Sequence, residues 1–195
     1  MKASKVARLL DTERLRLREF RAADTEALYR LDSDPRVMRY IGDGSIGTRA
    51  SVAGALARAR KYYRVYPGLG VWPAETRATG AFIGWFCLKY VPKTVEVEVG
   101  YRLLPEAWGH GYATEGARAL VRRGFQDLGL HRIIGLTHPD NIASQRVLRK
   151  AGLRDAGWGR YYGRELRLFA AELLSSGCLA ENPAQAAETA VTNES

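Results

Sequence analysis

The chain has 195 residues, 46% of them hydrophobic and 26% charged, with a net charge of +9; it is long enough to bury about two-thirds of its unfolded surface in one core. No apolar run reaches the roughly 18 residues that a membrane-spanning helix needs, and the segment after Met1 lacks the apolar stretch of a secretory signal. Cys87 and Cys178 are too few for a disulfide framework or a thiolate metal site, so no metal is expected and a reducing cytoplasm is the expected setting.

Charge is unevenly spread. Residues 175–195 hold Glu181, Glu188 and Glu194 and no Lys or Arg, which leaves +12 on residues 1–174. Such a surface suits a polyanionic partner, either nucleic acid or a phosphorylated cofactor. Small polar residues make 175–195 a predicted disordered acidic tail, behind a single domain over 1–174.

In chain order, the alternation Leu15-Arg16-Leu17-Arg18-Glu19-Phe20 predicts a half-buried strand. Ala23-Asp24 opens a helix, Asp34-Pro35 a short helical turn, and Thr48 is a predicted N-cap for a helix reaching Tyr66. Gly70 to Ala74, Ala81 to Tyr90 and Val95 to Leu103 read as an antiparallel meander, with Pro73 expected at an edge or bulge. A helix follows the glycine turn at 109–111, then a short buried strand over Arg132 to Thr137. Asn141 to Ala151 is a helix stopped by Gly152, and Glu165 to Leu174 a final strand. The order β, helices, three strands, helix, strand, helix, strand gives a mixed α+β sheet with packed helices.

Two segments carry chemistry. In Trp108-Gly109-His110-Gly111-Tyr112-Ala113-Thr114 a strand ends, small residues turn the chain, and a helix begins. A helix N-terminus exposes unpaired N–H groups and partial positive charge, a ready phosphate site. There is no Gly-Lys-Ser/Thr, which excludes a P-loop, and no third glycine for a dinucleotide fingerprint. The second segment, Asn141-Ile142-Ala143-Ser144, is an Asn-capped helix start that follows the glycine turn, helix and short strand.

Together with Thr12 to Arg18, Asp34 to Tyr40 and Glu98-Val99-Gly100-Tyr101, these segments resemble the GNAT acetyltransferase superfamily, in its RimJ/RimL-like branch, over residues 12–174. The resemblance implies a twisted, mostly antiparallel sheet splayed between its fourth and fifth strands, with helices on both faces. It also implies acetyl-CoA as co-substrate, an amine acceptor, and direct attack without an acyl-enzyme. The acceptor is a protein N-terminal α-amine or a small-molecule amine; a non-catalytic acyl-CoA-binding module is the alternative. Gly109, His110, Gly111, Tyr112, Ala113 and Thr114 then offer amides to the diphosphate, beside Trp108. Val99, Tyr101, Asn141 and Ser144 approach the pantetheine and thiol.

Leu148 stands where many relatives have a tyrosine that protonates the leaving thiolate. The general acid is then Ser144 or a water molecule. Glu98 is the candidate base, or else a solvent-facing residue like Glu96. Cys87 lies in an apolar strand and reads as a core thiol. His138 and His131 are weaker site candidates, and Trp158, Tyr161 and Tyr162 are candidates for the amine pocket. Arg122, Arg123, Arg146, Arg149 and Lys150 are candidate phosphate contacts. A monomer or homodimer is expected, with no membrane partner and no nucleic acid beyond proximity to the ribosome.

Overall fold

A computed structural model describes residues 8–173; the predicted tail at 175–195, with Cys178, lies outside them. Eight strands form one sheet in the order β1-β2-β3-β4-β5-β6-β8-β7. They are β1 (Arg8–Asp11), β2 (Leu15–Arg18), β3 (Gly70–Thr76), β4 (Phe82–Tyr90), β5 (Val97–Leu103), β6 (Arg132–Thr137), β7 (Arg154–Tyr161) and β8 (Arg164–Glu172). The helices are α1 (Thr25–Asp32), α2 (Pro35–Met38), α3 (Arg49–Val65), α4 (Tyr112–Gln126) and α5 (Ile142–Lys150).

All neighbouring strands pair antiparallel except β5 and β6, which run parallel and register only at Glu98 and Ile134. The predicted splay between the fourth and fifth strands is therefore present, between β5 and β6. Strand alternation separates the two faces. Trp72, Phe86, Leu88, Val97 and Val99 pack with Ala117 and Leu120 of α4 and Leu148 of α5. Val71, Phe82 and Trp85 meet the opposite cluster, built from Leu28 and Leu31 of α1, Val37 of α2, and Val52 and Leu56 of α3. Helices thus cover both faces, as expected.

Close approach of α4 to the sheet depends on Gly116. A Cβ there would lie 2.3 Å from the Phe86 ring, so the helix beds directly on β4 and its N-terminus is held over the splay.

Three expectations need correction. Two strands, β1 and β7, carried no readable signal. Both are edge strands, and β7 mixes Asp155, Gly157 and Gly159 into a mostly exposed ribbon without apolar alternation. Of the two positions expected for Pro73, the edge is ruled out, because β3 lies inside the sheet, and the bulge is present beside it. Its missing N–H is tolerated because β2–β3 pairing ends at Leu17 and Ala74, and a register shift follows immediately between Ala74 and Glu75. Finally, Val95 is 91% exposed and precedes β5, which begins at Val97.

Candidate active site

The splay opens into a cavity of about 940 Å³ that passes between the two faces of the sheet. Glu98, Val99, Tyr101, Trp108, Gly109, Gly111, Tyr112, Ala113, Thr114, Asn141 and Ser144 all line it. His110 does not: its ring stacks on Tyr112 at 5.7 Å, and its carbonyl accepts a hydrogen bond from Arg14 Nη1 at 2.9 Å. None of the five proposed phosphate cations lines the cavity. Arg123 pairs with Asp127 and Arg149 with Asp155, while Arg122, Arg146 and Lys150 are exposed.

The α4 end of the cavity is built from backbone. Gly109 (φ +78°) and Gly111 (φ +81°) both take left-handed conformations, and Gly111 caps α4 without any side-chain hydrogen bond. Among the described residues, the amides of Gly109 through Thr114 donate to no protein acceptor. The first helix amide to find one is Glu115 N, which donates to Gly111 O at 3.1 Å. Consecutive free N–H groups at a helix N-terminus, opening on a cavity, form a cradle suited to an anion.

A clamp that the sequence did not announce secures this loop. The Glu115 carboxylate accepts from Thr12 Oγ1 at 2.5 Å, Arg14 N at 2.8 Å and Arg14 Nε at 2.7 Å. Arg14 also reaches the His110 carbonyl, so the β1–β2 turn ties down both the glycine loop and the first turn of α4. Burial opposes ionisation of Glu115, yet these bonds hold its pKa below the ordinary glutamate value. The clamp therefore contributes above pH of about 4.5 and is lost as pH falls through the depressed value. Glu115→Ala is expected to raise KM for acetyl-CoA roughly threefold to tenfold with kcat little changed. Steady-state kinetics check this, and an unchanged KM would separate the clamp from cofactor binding.

On the opposite face lies a polar cluster. Glu98 is 8% exposed, whereas Glu96 is half-buried and pairs with Arg132. Lys89 stands directly across from Glu98 in the β4–β5 register and forms a salt bridge with it. The Tyr162 hydroxyl donates to Glu98 Oε1 and accepts from Lys89 Nζ at 2.8 Å. Tyr162 comes from the tip of the β7–β8 hairpin, where it holds φ +54° beside Gly163 at φ +77°, the paired left-handed values of a tight two-residue turn. Burial lowers the affinity of Lys89 for its proton, but the electrostatic effects of Cys87 and Glu98 and the hydrogen bonds to Glu98 and Tyr162 more than restore it, and its pKa stands above the ordinary lysine value. Burial, reinforced by the Glu98 charge, pushes the Tyr162 phenol up as well. Trp158 and Tyr161, grouped with Tyr162 in the sequence, do not line the cavity; Trp158 lies exposed under Arg167, and Tyr161 packs against Val91, Ile134 and Leu168.

Between the two ends sit the α5 residues. Asn141 Oδ1 accepts from Ser144 N at 3.1 Å, the predicted cap. Ser144 and Tyr101 both line the cavity, and burial pushes the Tyr101 phenol up to about 12. Leu148 is fully packed and lies so close to β6 that a Cβ on Gly135 would come within 2.5 Å of it. Cys87 is buried in the cavity wall, and desolvation, followed by the Glu98 charge, raises its thiol to about 12, as suits a core thiol rather than a nucleophile. His138 lines the cavity; its Nδ1 accepts from Asp140 N at 3.2 Å and its ring lies 5.3 Å from that of Tyr40. His131 is exposed and away from the cavity.

An acetyltransferase (GNAT) domain family matches residues 14–154, a span that contains both the loop at 108–114 and Asn141 to Ser144. The chain belongs to the GNAT acetyltransferase family. As a GNAT protein it is an acetyl-CoA-dependent transferase, and the anion cradle and adjoining cavity suit that co-substrate. Among curated relatives, it is 36% identical to the FsC-acetyl coenzyme A-N(2)-transacetylase of Aspergillus fumigatus over 74% of this chain; the match spans 64% of that longer relative. Among solved structures, the Agrobacterium tumefaciens acetyltransferase superimposes with a TM-score of 0.74 at 26% identity, covering 88% of this chain and 97% of that one. Mycobacterium smegmatis RimJ, solved in complex with CoA-disulfide, shares the GNAT fold with a TM-score of 0.68 at 22% identity, covering 81% of each chain.

Proposed function

We propose that this GNAT protein is an N-acetyltransferase of the RimJ/RimL-like kind, acetylating a primary amine by direct attack on the thioester of acetyl-CoA. One observation carries the reading. A run of free backbone amides and a buried carboxylate occupy opposite ends of one cavity, which crosses the sheet where β5 and β6 part.

In this reading the amides of Gly109 to Thr114 take the diphosphate, with Trp108 beside them fixed by its own bond from Nε1 to Leu103 O. The β5 backbone at Val99 and Tyr101 lies past the Glu98–Ile134 pair and has no ladder partner on the β6 side, so it is free to pair with pantetheine amides. Asn141 and Ser144 stand at the thiol end.

The amine must arrive neutral. An α-amino group with pKa near ~8 costs roughly 1 kcal/mol to deprotonate at pH 7, and a lysine side chain near ~10.4 about 4–5 kcal/mol. A single carboxylate acting through water suffices for the former, which favours an α-amine or a comparably weak base as acceptor. Glu98 is the base in this account. Ser144 returns a proton to the leaving thiolate; packed Leu148 has no proton to give.

A thiol-release assay with acetyl-CoA against pooled primary amines tests the proposal. Acceptor-dependent CoA release is expected. CoA binding without release from any amine would instead favour an acyl-CoA-binding module. The cytoplasm is the proposed setting.

A further inference from the structure

The Glu98 face of the cavity is strongly basic. Its walls hold Arg36, Arg39, Lys89, Arg102 and Arg164 against one carboxylate, Glu98. Strand parity separates these cations from the α4 loop. Glu98 and Arg102 share one face of β5, and Lys89 lies opposite Glu98 on β4, whereas Val99 and Tyr101 pack on the α4 face. Arg36 and Arg39 come from α2 and its C-cap, over the α1 side of the sheet, and Arg164 opens β8 two residues after Tyr162.

Three of the five are already neutralised. Lys89 pairs with Glu98, Arg102 with Asp32 of α1, and Arg36 with Asp34 at 2.6 Å. Among the described residues, no carboxylate lies within ion-pair distance of the remaining two. Arg39 stacks over the Tyr40 ring at 5.1 Å, and Arg164 attracts Asp43 only at longer range. Two guanidinium groups without close counterions therefore flank the mouth beside Glu98. An incoming polycation would meet them with like charge, whereas an anionic group would find two fork-shaped donors.

We propose that the acceptor is an amine with a carboxylate a few atoms from its nitrogen, and that Arg39 and Arg164 hold that carboxylate while the amine faces Glu98. This rests on the acetyl-transfer reading above. The shared chemistry is that of a free amino acid or of a peptide N-terminus followed by an acidic residue.

Thiol release would be measured with two matched pairs: alanine against alaninamide, and alanyl-aspartate amide against alanyl-asparagine amide. The first pair reports a free amino acid and the second a peptide. In at least one pair the acid is expected to have kcat/KM roughly tenfold or more above its neutral partner. Arg39→Gln and Arg164→Gln should each pull that ratio towards one and leave KM for acetyl-CoA unchanged. Neutral amines used as well as acids in both pairs would overturn the inference alone. So would variants that raise KM for acetyl-CoA and keep the ratio, because the cations would then serve the cofactor. Absence of release from every amine would overturn the acetyl-transfer reading, and this inference with it.

Discussion

Glu98→Gln is expected to lower kcat on the order of 10²-fold or more, the range of a lost general base, while acetyl-CoA affinity stays within about twofold of wild type. The substitution preserves the shape of the side chain and an oxygen for the Tyr162 hydroxyl, but removes the charge opposite Lys89. Its effect on binding should be small because Glu98 belongs to the face of β5 opposite the α4 loop. Loss of a buried partner can also destabilise the fold by about 3–5 kcal/mol, so thermal unfolding must be measured beside the kinetics. Lys89→Met separates the two effects. It removes the ion pair but not the carboxylate, so it should lose stability with a smaller loss of kcat. A Glu98→Gln enzyme that matched wild-type turnover over about pH 6–9 would remove Glu98 from the mechanism.

Gly111→Val should cost acetyl-CoA affinity by at least about tenfold, with only a few degrees lost from Tm. No crowding would cause this, since a Cβ at Gly111 meets only an Arg14 nitrogen at an ordinary 3.5 Å. The cost is conformational: a left-handed residue with a Cβ is strained by roughly 1–2 kcal/mol, more when β-branched. The loop can relieve that strain only by turning its peptides, which moves the amides off the anion. Gly80→Val is the matched control. Gly80 holds φ +72° with nothing within 4 Å of a built Cβ, but it sits in the β3–β4 turn away from the cavity. It should lose comparable stability and keep acetyl-CoA affinity. Equal losses of affinity from both substitutions would mean that loop geometry at 109–111 is not what binds the cofactor.

Much of this architecture was legible because its signals are local. The strand at Leu15 to Arg18, the helical turn opened by Asp34-Pro35, the caps at Thr48 and Asn141, and the stop at Gly152 each reflect the chemistry of a few neighbouring residues and appear as read, except that Arg18 is buried against Asp24 and Glu75 instead of facing solvent. Cavity residues from Glu98 to Ser144 were found through motif order, and all but His110 face the cavity. What could not be read was long-range. Glu115 meets Thr12 and Arg14 only after the sheet closes, and Tyr162 reaches Glu98 across 64 positions of chain through a hairpin whose first strand has no apolar pattern. Lys89 was out of reach as well: a four-residue turn at 91–94 would set it opposite Glu96, whereas the loop extends through Glu96 and the actual register pairs it with Glu98.

Everything in the catalytic account depends on where the diphosphate rests. A crystal structure of the chain with CoA is the most direct measurement. Phosphate oxygens are expected about 3 Å from amide nitrogens between Gly109 and Thr114, with the pantetheine passing between β5 and β6 towards Ser144. CoA bound on another surface, or those amides turned into packed protein, would contradict it.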